Sequence, residues 1–264
     1  MSQRDGHSSP RTEESRLSTL SAWLFDLDGV ITDTAALHAQ AWKQLFDEYL
    51  AANADPDGAF EPFRLPEDYV AYVDGKPRQD GVRSFLESRK ISLPEGSPSD
   101  DPGAPTIQGL GRRKDGYFNA ALNDEGVTVF EGTIALIREL RAKGIRIGCV
   151  SSSKNCRPIL DRAGIRALFD VVVDGTDIER EGLSGKPRPD SFLRAAEQLA
   201  IAPSEAAVVE DAVSGVAAGQ AGAFALVIGI DRGAGRDALL AHGADSVVDD
   251  MREFLGERPV NRPE

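Results

Sequence analysis

Six short apolar runs punctuate the chain, and helical patterns separate them. AWLFDLD (22–28), GIRIGCVSSS (144–153), FDVVVDG (169–175), AAVVED (206–211), AFALVIGI (223–230) and the weaker DSVVDD (245–250) each read as a buried strand. Between them, TIALIRELRAKG (133–144), ILDRAGI (159–165), DSFLRAAEQLAI (190–201) and SGVAAGQAGA (214–223) carry apolar residues at helical spacing and a glycine or turn signal near their ends. A strand that is apolar along its whole length must be covered on both faces. The alternation therefore predicts an α/β fold: a doubly wound, mainly parallel, Rossmann-like sheet with helices on both sides.

One stretch breaks the rhythm. From 37 to 123 there are helical patterns but no convincing buried strand. LHAQAWKQLFDEYLAA (37–52) is amphipathic, with Leu37, Ala41, Leu45 and Tyr49 on one face. PEDYVAYV, GVRSFLESR and KDGYFNAAL follow as shorter helices, and LPEGSPSDDPGAPTI (93–107) reads as an exposed loop. A helical unit, 37–123, is thus inserted into a core formed by 21–36 and 124–258, with the sheet expected to resume near Val127. Residues 1–20 lack the apolar stretch of a signal peptide and have the composition of a disordered tail.

With 30 basic against 43 acidic residues, the formal charge of −13 argues against nucleic acid or an anionic membrane as a partner. A small anionic substrate stays open, because a few cations around a metal reverse the local field. Two cysteines, Cys149 and Cys156, give no disulfide framework, so a cytoplasmic location is expected.

Charge is costly at the end of a buried strand, yet four predicted strands are followed by polar residues. The first ends in Asp26 and Asp28, and the second in Ser151, Ser152 and Ser153 with Lys154 and Asn155 behind them. Lys186 follows the third in GLSGKPRPD, and the fourth ends in Glu210 and Asp211. In a parallel sheet these ends converge on one crevice. Asp26, Glu210 and Asp211 would repel one another without a cation between them, and hard oxygen ligands suit Mg²⁺ alongside a phosphate. Lys186 and the Ser151 hydroxyl could then surround a transferring phosphoryl group, with a carboxylate as nucleophile and Asp28 as acid or base. Taken singly, each motif has a structural explanation: a loop DxD, a serine turn, a helix-entry proline, an acidic cap. Four in this order at four strand ends do not.

FDLDGVITDT, VSSS, GKPRPD and VVEDAVSGVAAGQAG resemble, in order, the four motifs of the haloacid dehalogenase superfamily. The resemblance implies that Asp26 is the nucleophile and Asp28 the general acid/base. It implies Mg²⁺ held by Asp26, the Asp28 carbonyl and Asp211, with Glu210 in or beside that shell, and Ser151 and Lys186 as phosphate clamps. The inserted unit then resembles a cap domain.

Further detail is similar to the β-phosphoglucomutase subfamily. GVITDTAALHAQAW matches its opening, including Thr34, His38 and Trp42. VDGKPRQDGV (73–82) looks like its cap loop, which implies substrate contacts for Gly75, Lys76 and Arg78, the last on the non-transferring phosphate. SSSKN implies Ser152, Ser153, Lys154 and Asn155 near that phosphate, and RRKDGYF implies a sugar-contacting Lys114. The 93–107 loop makes the inserted unit longer than the family pattern, and Ala212 stands where a serine is frequent.

The resemblance implies a mutase that interconverts β-glucose 1-phosphate and glucose 6-phosphate through glucose 1,6-bisphosphate, acting on a small-molecule sugar phosphate; a monomer is expected. A sugar-phosphate phosphatase on the same scaffold is the alternative. A non-catalytic sensor is the third reading, and an intact set of catalytic positions argues against it.

Overall fold

A computed structural model describes residues 17, 19–53 and 61–256. Most of the predicted N-terminal tail, and the last residues assigned to the core, lie outside the described residues. In chain order the elements are β1 (Ala22–Phe25), α1 (Ala35–Ala52), α2 (Arg78–Ser88), α3 (Ile107–Glu125), α4 (Glu131–Ala142), β2 (Arg146–Val150) and α5 (Cys156–Arg162). Then come β3 (Val171–Val173), α6 (Gly175–Glu181), α7 (Asp190–Gln198), β4 (Ala206–Glu210), α8 (Val213–Ala221), β5 (Leu226–Ile230), α9 (Arg236–Ala241) and β6 (Ser246–Val248). A π-helical turn spans Tyr69–Val73.

The strands form one parallel sheet in the order β3-β2-β1-β4-β5-β6. The chain winds outward from β1 in both directions, so β1 lies at the switch point where an α/β sheet opens a crevice. Successive β1 side chains serve opposite faces. Trp23 and Phe25 pack with Ile134, Ile137 and Ile159 on one side, while Ala22 and Leu24 pack with Phe192, Ala195 and Val216 on the other. This two-sided burial is why the strands read as unbroken apolar runs.

A separate apolar cluster holds the inserted helices together. Leu45, Phe46 and Tyr49 of α1 meet Val82, Phe85 and Leu86 of α2 and Leu110 of α3. Phe46 lies 4.1 Å from the Phe85 ring and 5.3 Å from Phe63. Each fully buried phenylalanine contributes roughly 1.5–3 kcal/mol.

Two linkers join this block to the sheet, and they run side by side. Asp33 N–H donates to Thr128 O at 2.9 Å, and Phe130 N–H donates to Ile31 O at 2.9 Å. Val127 does not restart the sheet: the segment forms only an antiparallel bridge, Val129 to Thr32, and the sheet resumes at Arg146. The apolar residues there pack against the core from outside its hydrogen-bonded ladder. Helices α6 and α9 are too short for a periodic signal, and the pattern at 114–122 is the second half of a 19-residue helix. Thr106 caps that helix by accepting from Gly109 N–H at 2.9 Å. The exposed loop before it folds back on the helix start, with Ile107 N–H donating to Pro94 O at 3.0 Å. Cys149 and Cys156 are buried, with their Sγ atoms 3.6 Å apart and no disulfide between them. Among the described residues no helix is long and apolar enough to cross a membrane.

Candidate active site

The carboxyl ends of β1, β2 and β4 open into a cleft of about 380 Å³ roofed by the inserted helices. Asp26 leaves β1 with its N–H on Val209 O at 3.0 Å, and Ser151 leaves β2 with its N–H on Val173 O at 3.0 Å. The ladder thus continues one residue past each strand and fixes where these side chains emerge.

Lys186 is buried between two carboxylates. Its Nζ contacts Asp26 Oδ1 and lies 2.5 Å from Glu210 Oε1. Burial works against the ammonium, but Asp26 and Glu210 outweigh it and hold the lysine above its ordinary value. Burial also pushes the Asp26 carboxyl well up, with Lys186 opposing and Glu210 and Asp28 adding.

Asp211 has a different environment. Burial, then Asp74, Glu210 and Asp26, push its carboxyl well above the usual range. Among the described residues no ion pair reaches it. Carboxylate oxygens of Asp26, Glu210 and Asp211 lie within 4.8 Å of one another. The set carries three acids against one lysine and offers hard oxygen donors, so it fits a divalent cation. Glycines make room for it. Gly29 has φ +81°, and a Cβ there would overlap the Asp211 carboxylate, while a Cβ at Gly215 would overlap Glu210.

Asp28 is held in a relay of polar groups. Thr34 Oγ1–H donates to its carboxylate, and His38 Nε2 lies 3.4 Å away. Burial would raise this carboxyl, but His38, Thr34 and Lys114 more than offset it and hold it low. On the other side of the imidazole, Nδ1 contacts Lys114 Nζ. While Lys114 carries its proton it can only donate, so in that state Nδ1 accepts and the ring proton sits on Nε2, facing Asp28. Burial and Lys114 keep His38 below its ordinary value. Burial, then Arg78, bring Lys114 down to about 7. The imidazole stacks on Phe118 at 3.9 Å, and Lys114 lies 5.1 Å from the Trp42 ring.

The sequence-predicted residues come together with a few differences in placement. Gly75, Lys76, Arg78, Lys114, Ser152, Ser153, Lys154 and Asn155 all line the cleft. Thr34 instead is fully buried behind Asp28. Trp42 lines the cleft and is also part of the apolar cluster that holds the inserted helices together. Lys76 reaches Ser84 Oγ at 3.0 Å, and Lys154 reaches Glu179 at 2.6 Å. Ser152 Oγ–H donates to Gly75 O at 2.8 Å and Ser214 Oγ–H to Asp74 O at 2.9 Å, so two core hydroxyls hold the roof loop.

Three residues were not singled out by sequence. Asp74 brings a further acid to the core carboxylates. Burial, then Glu210, raise it to about 7. Tyr69 donates to it from the π-helical turn. Asp115 receives Arg78 at 2.6 Å and Asn155 at 2.8 Å. Asp74 and Asp115 lie inside VDGKPRQDGV and RRKDGYF, but nothing local marks them off from ordinary surface acids.

The family model described as haloacid dehalogenase-like hydrolase matches residues 20–222. The chain belongs to that family. Within the haloacid dehalogenase-like hydrolases, it is 52% identical over 239 residues to a β-phosphoglucomutase of Mycobacterium bovis, covering 89% of this chain and 91% of the relative. A β-phosphoglucomutase of Bacillus subtilis is 32% identical over 211 residues, covering 80% and 84%. The crystal structure of a Clostridium difficile β-phosphoglucomutase superposes with a TM-score of 0.70 at 26% identity, covering 90% of this chain and 94% of that one. The family's motif order accounts for the polar groups that meet in the cleft: three stand at the ends of β1, β2 and β4, while Lys186 comes not from the end of β3 but from the loop after helix α6.

Proposed function

We propose that this protein is a β-phosphoglucomutase, converting β-glucose 1-phosphate to glucose 6-phosphate through an aspartyl-phosphate and glucose 1,6-bisphosphate. The observation that carries the reading is a cleft with an anion-binding group at each end. Asp26 and Ser151 line the cleft with Lys186 on the Asp26 carboxylate, and Arg78 and Asn155 line the same cleft, joined through Asp115. A hydrolase needs only the first end, whereas a mutase must hold a sugar that carries two phosphates. The named relatives point the same way.

In the phosphorylated enzyme, Asp28 takes the proton from the sugar 6-hydroxyl as that oxygen attacks phosphorus, and the Asp26 carboxylate leaves. The bisphosphate turns end for end. Asp26 then attacks the 1-phosphate, the P–O1 bond breaks, and Asp28 returns the proton to O1. Lys186 and Ser151 hold the equatorial oxygens in both transfers. Thr34 and His38 keep Asp28 aimed and ionised between them. The roof, residues 37–123 acting as a cap over the 21–36 and 124–258 core, excludes water from the aspartyl-phosphate. Asp26, Asp211 and the Asp28 carbonyl, with Glu210 alongside, would hold Mg²⁺, which supplies charge neutralisation at the phosphoryl group. Gly75, Lys76, Ser152, Ser153 and Lys154 frame the far end, with Lys114 and Trp42 beside the sugar. The net charge of −13 and the two cysteines without a disulfide fit a cytoplasmic enzyme with a small-molecule substrate.

Mg²⁺ at a hundredfold excess over its Kd should stabilise the fold by about 2.7 kcal/mol, or roughly 5–10 °C in Tm. Chelator should reverse this and abolish turnover. Asp211→Asn should remove most of the shift, and a variant that keeps it would place the ion elsewhere.

The deciding assay supplies β-glucose 1-phosphate, Mg²⁺ and a trace of glucose 1,6-bisphosphate, and reads glucose 6-phosphate and free phosphate in parallel. Glucose 6-phosphate with little free phosphate is expected. Free phosphate alone would make the protein a phosphatase. Arg78→Ala should lower the mutase rate by about 10²-fold, because a desolvated phosphate contact is lost. Equal rates in both proteins would remove Arg78 from the substrate site.

A further inference from the structure

Asp115 is a cap residue on α3 whose carboxylate lies between a cap cation and a core amide. Its Oδ1 is 2.6 Å from Arg78 Nη1 and accepts from Asn155 Nδ2 at 2.8 Å. Arg78 opens helix α2, and Asn155 precedes helix α5 in the core. Asp115 is thus the one acid, among the described residues, that joins the far-end cation to the core by direct contacts. Burial opposes its charge, but Arg78 and then Asn155 hold it below the usual carboxylate range. Both line the cleft, Arg78 17% and Asp115 34% exposed, so the pair is open to a ligand from solvent.

A guanidinium and an amide N–H beside each other suit a phosphate as well as they suit a carboxylate. We propose that Asp115 is a positioning residue that fills the Arg78–Asn155 clamp when no substrate is present, so that the sugar's second phosphate enters by displacing it. The inference rests on the mutase reading, in which that clamp takes the non-transferring phosphate. It adds a consequence for turnover. A mutase must let its bisphosphate go from this end in mid-cycle so that the sugar can turn. A tethered carboxylate that returns to Arg78 weakens the grip on the phosphate and speeds that release. It also keeps the guanidinium in place and ties cap to core while the cleft is empty.

The test compares wild type, Asp115→Asn, Arg78→Ala and the double variant as full chains. Affinity for glucose 6-phosphate is read by calorimetry, and steady-state kinetics use β-glucose 1-phosphate. Asparagine keeps the shape and an acceptor for Asn155 but removes the competing charge. Asp115→Asn should bind glucose 6-phosphate about two- to fivefold more tightly. That gain should vanish when Arg78 is also alanine. In turnover, KM and kcat should fall together, the signature of weakened ground-state competition and slowed release. A rise in KM at unchanged kcat would mean that Asp115 only props up Arg78, and would overturn the proposal. So would a gain in affinity that survives without Arg78. If Arg78→Ala alone leaves affinity unchanged, the clamp is misassigned and the proposal falls with it. If the binding cycle behaves as expected but wild type releases only free phosphate, the mutase reading fails and the role of Asp115 in the clamp stands.

Discussion

Asp26→Asn is expected to lower turnover by on the order of 10⁴- to 10⁶-fold while the chain stays folded. The amide has the carboxylate's shape and can still meet Lys186, which keeps Glu210 as its ionic partner at 2.5 Å. What it lacks is a nucleophilic oxygen able to form an acyl phosphate. The neighbouring carboxylates, among the described residues, are held in other contacts: Glu210 and Asp211 in the buried cluster, Asp28 by Thr34 and His38, and Asp74 by Tyr69. The measurement is rapid-quench detection of phosphorylated protein alongside the steady-state rate. The variant should show no acid-stable, hydroxylamine-sensitive phosphate. Turnover within tenfold of wild type would end the nucleophile assignment.

Lys186→Met should have the second-largest effect, and it should show in stability as well as rate. Removing the ammonium leaves Asp26 and Glu210 buried side by side without their counter-charge. Breaking a buried ion pair in this way costs about 3–5 kcal/mol, and loss of the phosphate clamp should cost about 10²- to 10³-fold in kcat. The pH dependence follows from the direction of the Asp26 shift. Its folded carboxyl is already raised above the unfolded value, and loss of Lys186 raises it further. Between the two values the folded chain binds more protons than the unfolded one, so this carboxyl favours folding more as pH falls. The Tm deficit of the variant against wild type should therefore shrink between pH 7.5 and pH 5. A deficit that stays constant over that range would mean lost packing, with charge playing no part.

Much of this was legible along the chain. Strands buried on both faces declare themselves as short apolar runs, and Asp26, Ser151 and Glu210 could be placed at strand ends because those runs stop there. Parallel topology then brings such ends together whatever the details of packing. The elements missed were of two kinds. Helices α6 and α9, of seven and six residues, complete too few turns to show periodicity. The 127–130 segment is apolar because it packs on the core, yet it makes a single bridge and no strand.

The chain by itself therefore determined the fold class, the helical insertion and the order of the polar groups at the sheet's carboxyl edge, since each depends on local period or on topology. Tertiary structure alone decided which charges pair: Lys186 with both Asp26 and Glu210, His38 between Asp28 and Lys114, Asp74 against the core acids, and Asp115 between Arg78 and Asn155. These partners come from elements far apart in sequence. Their ionisation depends on how deeply the packed fold buries them, and neither quantity is carried by a residue's neighbours in the chain.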